Sequence, residues 1–159
     1  MQWARTRVRH WLERLEGRRP GPAATRVLVV DDDEVIRQLI GVHLRVAGLA
    51  ADLAGDGLTG LKRARAARPD VAVIDARMPG LDGWAVAAQL RADPATRSVR
   101  IIVLEQEAGG VGRESCADVC LAKPFDPAEL IATVRRLARR TPTRSPPPRP
   151  PPPRPPPRP

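Results

Sequence analysis

Four carboxylates and one lysine stand out by where they fall. Asp31 and Asp32 follow the apolar run RVLVV, Asp75 ends VAVI, Glu105 ends RIIVL, and Lys123 closes VCLA. Brought together, such residues offer a nucleophilic oxygen, hard oxygen ligands for a divalent cation and a compact positive charge. Those are the provisions that moving a phosphoryl group onto a carboxylate demands. An oxygen-only site next to a phosphate suits Mg²⁺.

The apolar runs are what must position them. Each is long enough for a strand buried on both faces, and helix-length segments separate them, which predicts right-handed crossovers and one parallel sheet. The C-terminal ends of such strands open on one edge, where the ligand crevice of an α/β sheet lies. The order of elements therefore gathers Asp31, Asp32, Asp75, Glu105 and Lys123 into one pocket. LAADLA supplies a further strand. Helices are expected from Ile36, Leu39, Ile40, His43 and Ala47 on one stripe ending at Gly48, over Leu58 to Ala67, and over Trp84 to Arg91. The last helix has its start signalled by Asp126 as N-cap, Pro127 and Glu129, with Leu130, Ile131, Val134, Leu137 and Ala138 as its buried stripe. His43 on an apolar face reads as a core residue rather than a ligand. Cys116 and Cys120 lack a partner set for a metal and read as core or strand thiols in a reducing compartment.

Net charge is +9, but it is unevenly spread. Residues 1 to 22 hold six Arg and two Glu (+4), residues 135 to 159 hold eight Arg and no acid (+8), and residues 23 to 134 hold thirteen bases and sixteen acids (−3). The basic character belongs to the ends, so no specific nucleic-acid partner is expected of the central domain. No stretch spans a membrane and no secretory signal is visible, which places the chain in the cytoplasm as an expectation. With twenty-five Arg and only two Lys in the chain, Lys123 at a strand end is the informative exception. A rotatable ammonium differs in use from a planar guanidinium.

Three motifs in order, VLVVDDD, IDARMPGLDG and LAKPFDPAEL, resemble those of response-regulator receiver domains of the single-domain, chemotaxis-regulator kind, over Thr25 to about Arg140. The resemblance implies a doubly wound five-stranded parallel sheet of flavodoxin-like order 2-1-3-4-5 with helices on both faces. It implies Asp75 as phosphoacceptor, Mg²⁺ held by Asp31, Asp32, Asp75 and the backbone carbonyl of Arg77, and Lys123 as counter-charge to the phosphoryl group. The partners implied are a histidine kinase or phosphotransfer protein and a downstream protein target. The chain would then be a phosphorylated signalling protein of a two-component relay rather than an enzyme.

Two positions depart from that family. Glu105 stands where receivers have Thr or Ser, and Cys120 where they have an aromatic residue. A carboxylate about 7 Å from a phosphoaspartate costs about 2 kcal/mol per unit charge at an effective dielectric of about 20, so Glu105 cannot simply replace a hydroxyl. The second reading is a pseudo-receiver that docks without phosphorylation, its Glu105 occupying Lys123. A third is a nucleic-acid or membrane adaptor acting through its basic ends. The EQEAGGVGRESC region is short and glycine-rich, so the fourth helix of a receiver is expected to be stunted.

The chain divides into residues 1–22, residues 23–140 as the receiver, and residues 141–159. In the first, Ala4, Val8, Trp11, Leu12 and Leu15 form one helical stripe among Arg5, Arg7, Arg9 and Arg14. Such a helix suits an anionic membrane, a partner, or packing on its own domain. The last stretch holds twelve Pro and four Arg in nineteen residues. It is expected to be extended polyproline, open to a proline-reading domain or an anionic surface, or without a dedicated partner.

Overall fold

The computed structural model describes residues 24–106 and 116–139. The chain alternates β1 (Arg26–Val30), α1 (Glu34–Val46), β2 (Ala50–Ala54), α2 (Gly57–Ala67), β3 (Val71–Asp75), α3 (Gly83–Ala92), β4 (Arg100–Glu105), β5 (Val119–Ala122) and α4 (Pro127–Ala138). All five strands are parallel, in the order β2-β1-β3-β4-β5. The expected order is thus the observed one. Helices α2 and α3 begin one residue before their expected starts, at Gly57 and Gly83.

The apolar runs of the central strands are continuous because both faces are covered. Leu28 and Val30 of β1, Ala72 and Ile74 of β3, and Ile101 and Val103 of β4 point into one core with α2 and α3. Val27 and Val29, Val71 and Val73, and Ile102 and Leu104 point into the other, with α1 and α4. Each helix starts on an aspartate whose side chain accepts from backbone N–H groups of its first turn: Asp33, Asp56, Asp82 and Asp126. Such caps satisfy donors that a helix leaves orphaned, and a negative charge there suits the helix dipole.

Two details of the expected helix faces are corrected. In α1 the buried positions are Ile40, Gly41 and Leu44, with Ile36 and Ala47 packed at the margin; Leu39 is 53% exposed. In α4, Thr133 is buried with Leu130, Val134 and Leu137, while Ile131 and Ala138 are only partly covered. The expected helix of residues 1–22, the expected stunted helix after β4 and the proline-rich residues 141–159 fall wholly or largely outside the described residues. No helix among the described residues is long and apolar enough to cross a membrane.

Candidate functional site

The C-terminal ends of β1 and β3 are adjacent, Val30 standing opposite Ile74 in the register, and this brings two acidic stretches together. Carboxylate oxygens of Asp31, Asp32 and Asp75 lie within 4.8 Å of one another. Asp31 and Asp75 are buried, whereas Asp32 faces solvent. Asp33, the next in the run, is spent on capping α1.

Asp31 is held from three sides. Its N–H donates to the Ala54 carbonyl at 3.1 Å, and its Oδ1 accepts from the Asp33 N–H at 2.9 Å. Its carbonyl accepts from Nη1 of Arg37 at 2.7 Å, the guanidinium reaching back from α1. Arg37 lies against Gly55, where a Cβ would come within 3.3 Å of Nη1. The remaining oxygen, Oδ2 of Asp31, is buried without a hydrogen-bond partner. A buried carboxylate oxygen left this way is costly unless a cation faces it. Burial pushes the Asp31 carboxyl above its ordinary value, with the charges of Asp75 and Asp32 adding to the rise; the Asp33 N–H and Lys123 pull the other way without cancelling it.

Asp75 is fixed by the helix that follows it. A Cβ on Gly83 would sit 2.0 Å from the Asp75 carbonyl oxygen, so α3 can start this close to the strand end only on glycine. The Gly83 N–H donates to the Ala76 carbonyl at 3.0 Å and closes the turn. Gly80 in the same turn takes a left-handed φ of 76°. Arg77 is exposed just past the strand end.

Lys123 completes the group. Its Nζ lies 2.8 Å from Oδ1 of Asp75 and 3.6 Å from Oδ2 of Asp31. Burial would lower its pKa, but the hydrogen bond it donates to Asp75 and the two carboxylate charges outweigh that and raise it above the usual lysine value. Its backbone N–H donates to the Glu105 carbonyl at 2.6 Å, which sets β5 against β4 at this level. The ammonium therefore sits on Asp75 and Asp31. The ion pair between Glu105 and Lys123 required by the pseudo-receiver reading is not formed among the described residues. In the register Asp75 is opposite Leu104, and Glu105 is one step further along, opposite Ala122. Glu105 is half-buried, and its carboxylate stands apart from the three clustered aspartates.

Cys120 pairs with Val103 in the register and packs with Trp84, Leu81 and Cys116 against the α2–α3 core. Both cysteines are half-buried and packed against the apolar core. His43 is half-buried on α1 and belongs to no ligand cluster among the described residues.

A second polar cluster lies at the opposite end of the sheet. Asp118 accepts from the Ile101 N–H at 2.8 Å, from Nη1 of Arg100 at 3.1 Å and from Nη2 of Arg91. Arg91 also bonds the Cys116, Arg97 and Val99 carbonyls, tying the end of α3 to the approach to β5. Neither this clasp nor the Arg37 brace was visible beforehand. Among so many arginines, no single one announces itself.

Comparison with known proteins agrees with this geometry. The response regulator receiver domain matches residues 27–135. The transcriptional regulatory protein CseB of Streptomyces coelicolor is 42% identical over 120 residues, which are 73% of this chain and 50% of CseB. The DNA-binding response regulator MtrA of Mycobacterium tuberculosis is 40% identical over 119 residues, 72% of this chain and 51% of that protein. The chain spans about half the length of the curated relatives it matches. Among solved structures, chemotaxis protein CheY4 of Vibrio cholerae is 32% identical with a TM-score of 0.68, covering 72% of this chain and 99% of that one. The receiver domain of sensor histidine kinase PA1611 from Pseudomonas aeruginosa, solved with a magnesium ion in its active-site cleft, is 34% identical with a TM-score of 0.66 and covers 73% and 98%.

Proposed function

The chain belongs to the response regulator receiver family of two-component systems, a family of signalling domains rather than enzymes, and from that membership we propose that it accepts a phosphoryl group on Asp75 and signals through changed protein contacts. The observation that carries this reading is the contact of Lys123 Nζ with Asp75 Oδ1 at 2.8 Å beside two further carboxylates. An oxygen of Asp75 attacks phosphorus, the bond from phosphorus to the donor's leaving group breaks, and an acyl phosphate forms. The leaving group takes the electron pair of the broken bond. Lys123 is already on the oxygen face of Asp75, placed to take up the charge of the arriving phosphoryl oxygens.

Asp31, Asp32, Asp75 and the carbonyl of Arg77 would hold Mg²⁺, and the unbonded buried oxygen of Asp31 fits that use. When bound, the ion supplies charge neutralisation to the transferred group. Arg37, Gly83 and the strand register keep the carboxylates in place for it.

Glu105 tunes this site by repulsion from the end of the neighbouring strand β4, uncompensated by Lys123, which is engaged by Asp75 and Asp31. The donor is a histidine kinase or phosphotransfer protein, and the product is read by a downstream protein target. MtrA carries DNA binding in its name, so the expectation that this chain has no nucleic-acid partner gains no support from its relatives.

The test is to trap the acyl phosphate. After exposure to a small phosphodonor with Mg²⁺, hydride reduction and peptide mapping should find the modified residue at Asp75. Modification elsewhere, or none, would overturn the proposal.

A further inference from the structure

Alongside its buried face, α1 carries a second apolar stripe. Val35 is 76% exposed, Leu39 53% and Val46 50%, with half-buried Val42 between Leu39 and Val46. Of the four large apolar residues exposed among the described residues, three are on this one helix. The intervals between successive members are four, three and four residues, which keeps them on one line down the solvent side. Ile40, Gly41 and Leu44 are buried on the other side. Exposed apolar side chains aligned in this way mark a surface that something covers.

The interval pattern shows what fits. Four-three-four reads the same from either end, so a second α1 laid antiparallel presents the same line in the same register. About a two-fold axis midway between Ile40 and Gly41, Val35 meets the partner's Val46 and Leu39 meets the partner's Val42. This is the layer pattern of an antiparallel helix pair of the heptad kind. A two-fold contact demands a patch complementary to itself, and valine at three of the four positions lets the axes approach to about 8–10 Å.

Charge selects the direction. Glu34 is exposed at the start of α1 and Arg45 is half-buried near its end, and neither forms an ion pair among the described residues. The two are about three helical turns apart, so they project from the same flank of the stripe. Arg45 leans back along that flank, its Nη1 3.7 Å from where a Cβ on Gly41 would stand. In an antiparallel pair equal flanks face each other, which sets Glu34 beside the partner's Arg45 at both ends of the seam. A parallel pair would set like against like.

We propose that α1 is a self-association surface, on which two copies of this chain pair antiparallel through Val35, Leu39, Val42 and Val46, with Glu34 beside the partner's Arg45 at each end. Four side chains per copy bury less than the roughly 1,200 Å² of a standard interface, so the dimer is weak, with a Kd on the order of 10–100 μM. Because α1 starts directly after the run Asp31 to Asp33, the partner's Arg45 stands near the rim of the carboxylate pocket. Pairing therefore narrows the approach to that pocket from the α1 side.

Sedimentation equilibrium of the full chain, without phosphodonor or Mg²⁺, tests this. Between about 5 and 500 μM the weight-average mass should climb from 17.3 kDa toward twice that value. Leu39→Asp, a change at an exposed site, should stay at the monomer mass throughout. Glu34→Arg and Arg45→Glu should each weaken pairing by about tenfold or more, since like charges then meet at both ends. An equimolar mixture of those two variants should pair as the wild type does, because opposite charges meet again at both ends, a recovery that misfolded variants could not show. A wild type that stays at the monomer mass throughout would overturn the proposal and leave the stripe to another occupant. A dimer that survives Leu39→Asp, or a mixture that pairs no better than its components, would overturn it as well.

Discussion

The ammonium of Lys123 and the carboxylate of Asp75 meet at 2.8 Å across the ends of two strands that are not neighbours, β5 and β3, with β4 between them. Lys123 thus competes for the oxygens that a divalent cation would use. Replacing it with Met removes a unit charge from beside both Asp75 and Asp31. Mg²⁺ should then bind about tenfold tighter, followed through the fluorescence of Trp84, while transfer to Asp75 slows. Weaker Mg²⁺ binding would instead mean that Lys123 organises the carboxylates.

Two glycines of one turn should respond differently to the same change. Gly83→Ala drives a Cβ against the Asp75 backbone, which cannot yield as a side chain does, and should cost about 3 kcal/mol or more. Gly80→Ala meets nothing within 4 Å and carries only the strain of its φ of 76°, about 1 kcal/mol. Urea unfolding of both separates steric from conformational causes; similar losses would contradict the close approach of α3 to β3.

Arg37 holds the Asp31 carbonyl and leaves the carboxylate free for other work. Arg37→Ala should weaken Mg²⁺ binding several-fold with a loss of stability of only about 1 kcal/mol. Lysine at the same place should restore part of the affinity, since its ammonium can reach the carbonyl as a single donor. Unchanged Mg²⁺ affinity in Arg37→Ala would confine Arg37 to a role in stability.

Acid stability should depend on Asp118. Burial raises its carboxyl pKa, but the Ile101 N–H, Arg91 and Arg100 outweigh burial and hold it below the usual 3.8. A depressed folded value means that the unfolded chain takes up the proton first. The stabilisation is therefore complete above pH 3.8 and is lost as pH falls through the lower folded value. Asp118→Asn should lose about 2 kcal/mol at neutral pH and show a flatter decline in acid, measured by urea midpoints across pH. An unaltered acid limb would mean that other carboxylates carry it.

The sheet and the acidic trio were legible because three of the apolar runs stop abruptly at a carboxylate. A parallel sheet then leaves only one edge for those ends. The face of α1 was harder to read. Val35, Leu39, Val42 and Val46 make one apolar stripe and Ile36, Ile40, Leu44 and Ala47 another, and hydropathy does not say which one meets Val27 and Val29. Lys123 was recognised as chemically placed, yet its partner was not. Asp75 and Glu105 both end strands near it, and only the 2.8 Å contact with Asp75 shows which carboxylate the ammonium reaches. The bond from Arg37 to Asp31 left no signal at all, being one of twenty-five arginines acting through a backbone oxygen.

Labelling of the whole chain by a small phosphodonor, read by intact mass with and without Mg²⁺, tests the central assignment most directly. The wild type should gain a single phosphoryl group slowly and only with Mg²⁺, Glu105→Thr should gain it faster by about tenfold as the repelling charge is removed, and Asp75→Asn should gain none. Labelling that persists in Asp75→Asn, or a wild type and Glu105→Thr that both stay unlabelled, would contradict Asp75 as the phosphoacceptor.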